Sequence, residues 1–175
     1  MKINMSKNFL SLIFSGIFII FSCSCCYAVQ EQPLTKLITW SDKQNITIWI
    51  EPHKYSYVVY NSFMKWQNAA NGCLRFRQAK SQNDANIVVY FSDEDYPRRG
   101  HSVVHEENNI MLDVKIYIIK RNIKNMKDLE FISLHEIGHA LGIIGHPERY
   151  DSIMTFDYTE LQKADIYTIR QMYCK

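Results

Sequence analysis

An excess of charge of either sign is missing from this sequence. Its 175 residues carry 20 lysines and arginines against 18 acids, a formal charge of +2. No basic stretch stands out, which argues against a nucleic-acid partner. Internal repeats and low-complexity tracts are absent too, so neither a solenoid nor a disordered linker is expected. Cysteine is scarce: of five in all, Cys23, Cys25 and Cys26 crowd near the N-terminus and only Cys73 and Cys174 lie beyond it. Neither of those two stands at the short spacing that a closed, cysteine-ligated structural metal site requires. The uncharged apolar run from Phe9 to Phe21 falls short of the roughly 20 residues that a spanning helix needs.

What is there begins with that run. Lys2 and Lys7 precede it, and "CYAVQ" follows, where Cys26 and Ala28 suit a small-x-small cleavage site after Ala28. Residues 1–28 therefore read as an export signal, and residues 29–175 as one domain with no membrane span of its own. An uncleaved anchor and a lipidated cysteine are the rival readings of the same segment. Removing Lys2 and Lys7 takes the 20 basic residues to 18, against 18 acidic, so the remaining chain is formally neutral. In an oxidising exported compartment its two cysteines allow one bridge.

Periodicity then orders the elements. Pro33 to Asn45 reads as a polar lead-in. "NITIWIEP" is β-branched and aromatic and stops at Pro52, which predicts a strand. Val59, Phe63, Trp66 and Ala70 recur at helical spacing, and the Asn71-Gly72 pair closes that helix. "CLRFRQA" and "ANIVVYFS" are strands, the second apolar enough to be central. "GHSVVHEENNIMLDVKIYII" predicts further strand around a turn at Asn108-Asn109. Trp40, Trp49 and Trp66 are expected in the core, and no aromatic stripe is left to suggest carbohydrate or RNA.

The chemistry sits in "HEIGHALGIIGHPERYDSIM", residues 135–154. Asn125 or Asp128 can cap the helix that opens it, and Phe131, Leu134, Gly138 and Leu141 form its buried stripe. His135 and His139 lie four residues apart, so both imidazoles leave one face as a shared metal requires, with Glu136 beside them to accept a proton. Gly142 ends the helix and turns the chain back. His146 follows one residue later than the commonest version of the pattern, where position 145 would hold the third ligand and is glycine here. One extra loop residue adds little entropy, and Gly142 and Gly145 tolerate unusual backbone angles, so His146 can still point inward. The alternative is that Asp151 or water completes the set.

These residues resemble the metzincin zinc endopeptidases, and within them the matrixins, whose pattern is HExxHxxGxxH followed by a methionine turn. The late histidine is similar to a "G-x-x-G-H" loop in bacterial members. "LQKADIYTIRQMY" resembles the matrixin closing helix, with Ala164 in place of one acid and Met172 in place of a leucine. "GCLRFRQA" is similar to the astacin branch, whose cysteine at this point bridges to one near the C-terminus. The resemblance implies an α+β fold: a mixed, mostly parallel, twisted sheet of about five strands with an antiparallel edge strand, an active-site helix and a C-terminal helix. It implies one catalytic Zn2+ held by His135, His139 and His146, with Glu136 as general base to the water that zinc activates. It also implies Met154 beneath the ligands and a Cys73–Cys174 bridge.

By the same resemblance, a protein or peptide substrate lies extended along an edge strand, for which Gly100 to Glu106 is the candidate. Astacins place a tyrosine two residues past the methionine; Phe156 stands there, with Tyr158 nearby. His101 and His105 are expected as ordinary surface or cleft residues, and the chain as a monomer. A catalytically inactive zinc-binding module is the competing function.

Overall fold

The computed structural model describes residues 38–146, 151–155 and 158–174. The proposed signal segment and Phe156 fall outside them. The elements are β1 (Ile46–Ile50), α1 (Ser56–Ala69), β2 (Phe76–Gln78), β3 (Ile87–Ser92), β4 (Gly100–Glu107), β5 (Ile110–Ile119), α2 (Met126–Ala140) and α3 (Lys163–Tyr173). Five strands form one sheet in the order β2-β1-β3-β5-β4. β1 pairs in parallel with both β2 and β3, and β3 in parallel with β5; β4 returns antiparallel on β5 at the edge. This is the α+β architecture expected, with β3 in the centre, where an apolar strand belongs.

Alternation sets the two faces of the sheet. Ile46, Ile48, Ile87, Val89, Val114, Ile116 and Ile118 turn inward and are buried with the apolar sides of α1 and α2 in one core. In α1 the expected stripe holds, since Val59, Phe63, Trp66 and Ala70 are each 1% exposed or less. The helix gives way to Asn71 at φ 51° and Gly72 at φ 84°. At the β4–β5 turn, Asn108 and Asn109 take φ 51° and 63°. Two successive left-handed residues match the twist of a tight hairpin.

Two expectations need correction. The lead-in is not merely polar: Ile38 and Trp40 are buried, and Thr39 bridges to Ile110. A single tryptophan between polar neighbours shows no period, so its partner was invisible until α2 was in place. Trp49 is also not core. It faces outward and begins an aromatic stripe across the open side of the sheet, meeting Tyr90 at 6.2 Å, which stacks on Tyr117 at 5.4 Å, which stacks on His101 at 4.8 Å. Tyr90 and Tyr117 are register partners, as are Tyr117 and His101. Strand pairing therefore assembles a stripe from residues that lie far apart in sequence. Tyr90, Tyr117 and His101 stack face to face, whereas Trp49 meets Tyr90 edge-on. Tyr96 packs on the far side of His101 at 4.7 Å, which carries the stripe to the lip of the cleft.

α2 is fixed at both ends. Asn125, not Asp128, is its N-cap, accepting from the Asp128 backbone N–H at 3.0 Å. The last carbonyls of a helix lack partners within it. Here Trp40 Nε1–H donates to Ala140 O at 2.9 Å and the Tyr173 hydroxyl to Leu141 O at 3.0 Å. Midway, Trp66 Nε1–H donates to Leu134 O at 2.9 Å. The lead-in, α1 and α3 thus clamp the helix that carries the histidines. The chain leaves α2 through Gly142 at φ 87°, where a Cβ would stand 1.8 Å from Ile38 O. Only glycine fits that turn. Cys73 and Cys174 are joined, with Cα atoms 5.1 Å apart across 101 residues of sequence. The link ties the start of the β2 segment to the end of α3.

Candidate active site

Helical spacing puts His135 and His139 on one face of α2, and the Gly142 turn returns the chain so that His146 meets them. His146 Nε2 lies 3.0 Å from His135 Nε2 and 3.3 Å from His139 Nε2. The displaced histidine is therefore in the cluster. Asp151 is not in it; the Tyr158 hydroxyl donates to Asp151 Oδ1 instead. Gly145 sits at φ 112° with open space where a side chain would be, so the loop absorbs its extra residue there without a clash.

The rings are oriented from behind. His135 Nδ1–H donates to Ile153 O at 3.0 Å, and His139 Nδ1–H to Ile143 O at 2.9 Å. With the proton held at Nδ1, each neutral ring carries its lone pair on Nε2, pointing into the cluster. Three ring nitrogens converging at these distances could share one metal ion. Metal–nitrogen bonds of about 2.0–2.1 Å in a tetrahedron put neighbouring nitrogens about 3.3 Å apart. The donor set thus fits one tetrahedral ion with a position to spare.

Ile153 is placed in turn from α3. Asp165 is buried, and its carboxylate accepts from Ser152 Oγ at 2.6 Å, Ile153 N at 2.9 Å and Gln162 N at 2.7 Å. Burial raises its pKa, and the three donors oppose that. Met154, fully buried, lies under the helix; a Cβ on Gly138 would stand 2.5 Å from its Sδ. Gly138 therefore lets Met154 and its turn close up against α2.

Glu136 points from α2 toward β4. Its Oε2 accepts from Ser102 Oγ at 2.7 Å. Gly100 gives the carboxylate room, since a Cβ there would lie 3.1 Å from Glu136 Oε1 and 2.9 Å from Ile132. Burial pushes the Glu136 pKa up to about 7, against the Ser102 hydrogen bond and the Arg98 charge, which both lower it. Neither Ser102 nor Gly100 was recognisable in the sequence as a partner of Glu136. Their side-by-side placement follows from β4 crossing α2, which no spacing encodes.

Burial, aided by neighbouring histidine charge, holds His135 down at about 4; burial first, with His146 and Arg98, does the same for His139. Without a bound cation this makes stability depend on pH. Folded His135 and His139 take up protons only near 4, whereas the unfolded residues do so from 6.5. Stability is therefore lost as pH falls from 6.5 toward 4. Glu136 runs the other way, keeping its proton to about 7 instead of 4.5. One group opposes two, so chelator-treated protein should melt at lower temperature at pH 4.5 than at pH 6.5. A melting temperature that rises on acidification over that range would contradict the assignment.

The site lines a cleft of about 340 Å3 whose walls include Tyr96, Arg98, Gly100, Ser102, Phe131 and the three histidines. β4 forms one side as the free edge of the sheet. His101 lines it as well, whereas His105 stands outside, exposed and paired with Asp113 at 3.0 Å. Tyr158 and Thr159 border an adjoining recess, the part of the segment after Met154 that the described residues include.

Two histidines on a helix and a third from the loop after it, able to share a metal ion, with a carboxylate beside them, a buried methionine packed against the same helix and a sheet edge alongside, mark a zincin-type domain. The sequence profile of the matrixins matches residues 34–174, and the chain belongs to that family. It is also similar to Metalloendoproteinase 1 of Glycine max, with 26% identity over 141 residues, covering 68% of this chain and 45% of that protein. The chain thus spans under half the length of this relative.

Proposed function

We propose that this protein is an exported zinc-dependent endopeptidase that hydrolyses peptide bonds in proteins or peptides. The observation that carries the reading is the convergence of three imidazole nitrogens with Glu136 alongside, on the floor of a cleft open along β4. Membership of the matrixins supports zinc as the metal. His135, His139 and His146 would hold the zinc, which when bound would supply a Lewis acid for the scissile carbonyl and lower the pKa of its bound water to about 7.

The remaining work falls to the chain. Ser102 occupies Glu136 Oε2 and leaves Oε1 to receive the proton of the attacking water, and a carboxylate poised near neutrality can also release that proton to the departing amine. Ile153 and Ile143 carbonyls keep His135 and His139 in the tautomer that binds metal. The edge strand β4 offers its outer backbone groups to an extended substrate, which pairs as one more strand. Export through residues 1–28 fits the disulfide, which is characteristic of an oxidising compartment. Among the described residues no helix is long and apolar enough to cross a membrane.

The deciding experiment is zinc content per chain together with peptide-library cleavage, for the wild type and His146→Ala. One zinc per wild-type chain, lost with cleavage in the variant, supports the three-histidine site. Zinc and cleavage retained in His146→Ala would mean that another residue completes it. Zinc without any cleavage by the wild type would favour the inactive binding module.

A further inference from the structure

Arg98 and Arg99 form the lip of the cleft just before β4, and they differ in what they face. Arg99 is committed to the fold: it forms an ion pair with Asp128 Oδ1 and lies 5.0 Å over the Phe131 ring. The other oxygen of Asp128, Oδ2, accepts from Lys124 N at 2.9 Å. Arg98 is exposed, lines the cleft and, among the described residues, has no ionic partner. It shares the cleft lining with Glu136, His139 and His146, and its charge lowers the pKa of each.

Arg99 and Phe131 also border a second recess of about 270 Å3, lined further by Lys124, Asn125, Lys127, Asp128, Tyr158 and Thr159. Lys124 and Lys127 are exposed and have no ionic partner among the described residues. The start of α2 lies at the same place and adds the partial positive charge of a helix N-terminus. Among the described residues, four cations therefore line the two neighbouring recesses against two acids, Asp128 and Glu136, both already bonded within the protein. The chain as a whole is close to neutral, so this is a local concentration of charge.

We propose that the cleft selects acidic peptide substrates: Arg98 receives a carboxylate side chain next to the scissile bond, and Lys124 with Lys127 receive a second one further along. The selection rests on the peptidase reading, because it assigns the same cleft its substrate class. An Arg98 guanidinium can hold a carboxylate through paired N–H donors, and an unpaired cation at a cleft mouth draws in anionic ligands before contact.

The test uses the full chain with zinc and two peptides that differ only in Glu or Gln beside the cleavage site. The Glu peptide should have a kcat/KM about tenfold higher, the worth of one charge-assisted contact, with the difference mostly in KM. That advantage should shrink as salt rises from about 50 mM to about 500 mM, because exposed cations are screened. Arg98→Glu should reverse the preference, favouring a Lys peptide over the Glu peptide. A variant that gains a new preference is folded by that fact. Binding to Glu136→Gln, read by fluorescence anisotropy, should show the same order without turnover.

Cleavage with equal kcat/KM for Glu and Gln peptides overturns the selection while leaving the peptidase reading intact. Charge-ordered binding to Glu136→Gln with no cleavage by the wild type does the reverse. Equal competition by a mixed-sequence oligonucleotide would make the lip a general polyanion site and overturn the peptide assignment.

Discussion

Glu136→Gln should keep its zinc and lose its activity. The amide is nearly isosteric, can still accept from Ser102 and removes none of the three histidines, so one zinc per chain is expected by mass spectrometry. It cannot take a proton from water, and loss of a positioned general base lowers kcat by about 10²–10⁴-fold. The size of the effect follows from where the carboxylate sits. Buried between α2 and β4, with a pKa pushed up to about 7, Glu136 is placed where a base matched to neutral pH is most effective. Stability should move the opposite way. Ionising a buried carboxylate disfavours the folded state as pH rises from 4.5 through 7. A neutral amide has no such penalty, so metal-free Glu136→Gln should melt above metal-free wild type at pH 8. Turnover within a few-fold of wild type would remove Glu136 from the mechanism.

The second large effect is on stability. The Cys73–Cys174 bridge spans 101 residues, and restraint of a loop that long is worth about 4–5 kcal/mol by the loop-closure relation. The double variant Cys73→Ser/Cys174→Ser should lose most of that in denaturant titration, with a steeper slope, because the unfolded chain without its crosslink exposes more surface. Reduction of the wild type should shift its midpoint by the same amount and leave the double variant unmoved. The consequence reaches the site, because Cys174 follows Tyr173, whose hydroxyl donates to Leu141 O at the end of the histidine helix. Releasing the C-terminus should therefore weaken zinc retention as well. An unchanged midpoint would mean that the α3 contacts alone hold the end of the chain.

Legibility in the sequence followed locality. His135, Glu136 and His139 were readable because an α-helix converts a spacing of four into a shared face without help from the rest of the chain. Asn125 as a cap and Asn71-Gly72 and Asn108-Asn109 as turns were readable for the same reason: cap and turn conformations are set within a few residues. The strand set and the core stripe of α1 came from period alone. His146 was harder, since its direction depends on a loop with two glycines, and the structure settled its place against His135 and His139. Trp40 was buried as expected, whereas Trp49 was not. An isolated aromatic residue carries no period, and only its neighbours across the fold decide whether it is buried.

The sequence by itself determined the zinc-peptidase pattern, the order of the elements, and the pair of cysteines able to form a bridge. Each is a matter of residue type at short range or of a count. Tertiary structure alone decided that Ser102 and Gly100 frame Glu136, that Asp165 steadies the turn holding His135, and that Arg98 lines the cleft. Those pairings join residues 30 to 38 positions apart, on elements that lie on different sides of the site. Only the packing of β4 and α3 around α2 brings them within hydrogen-bonding or electrostatic reach.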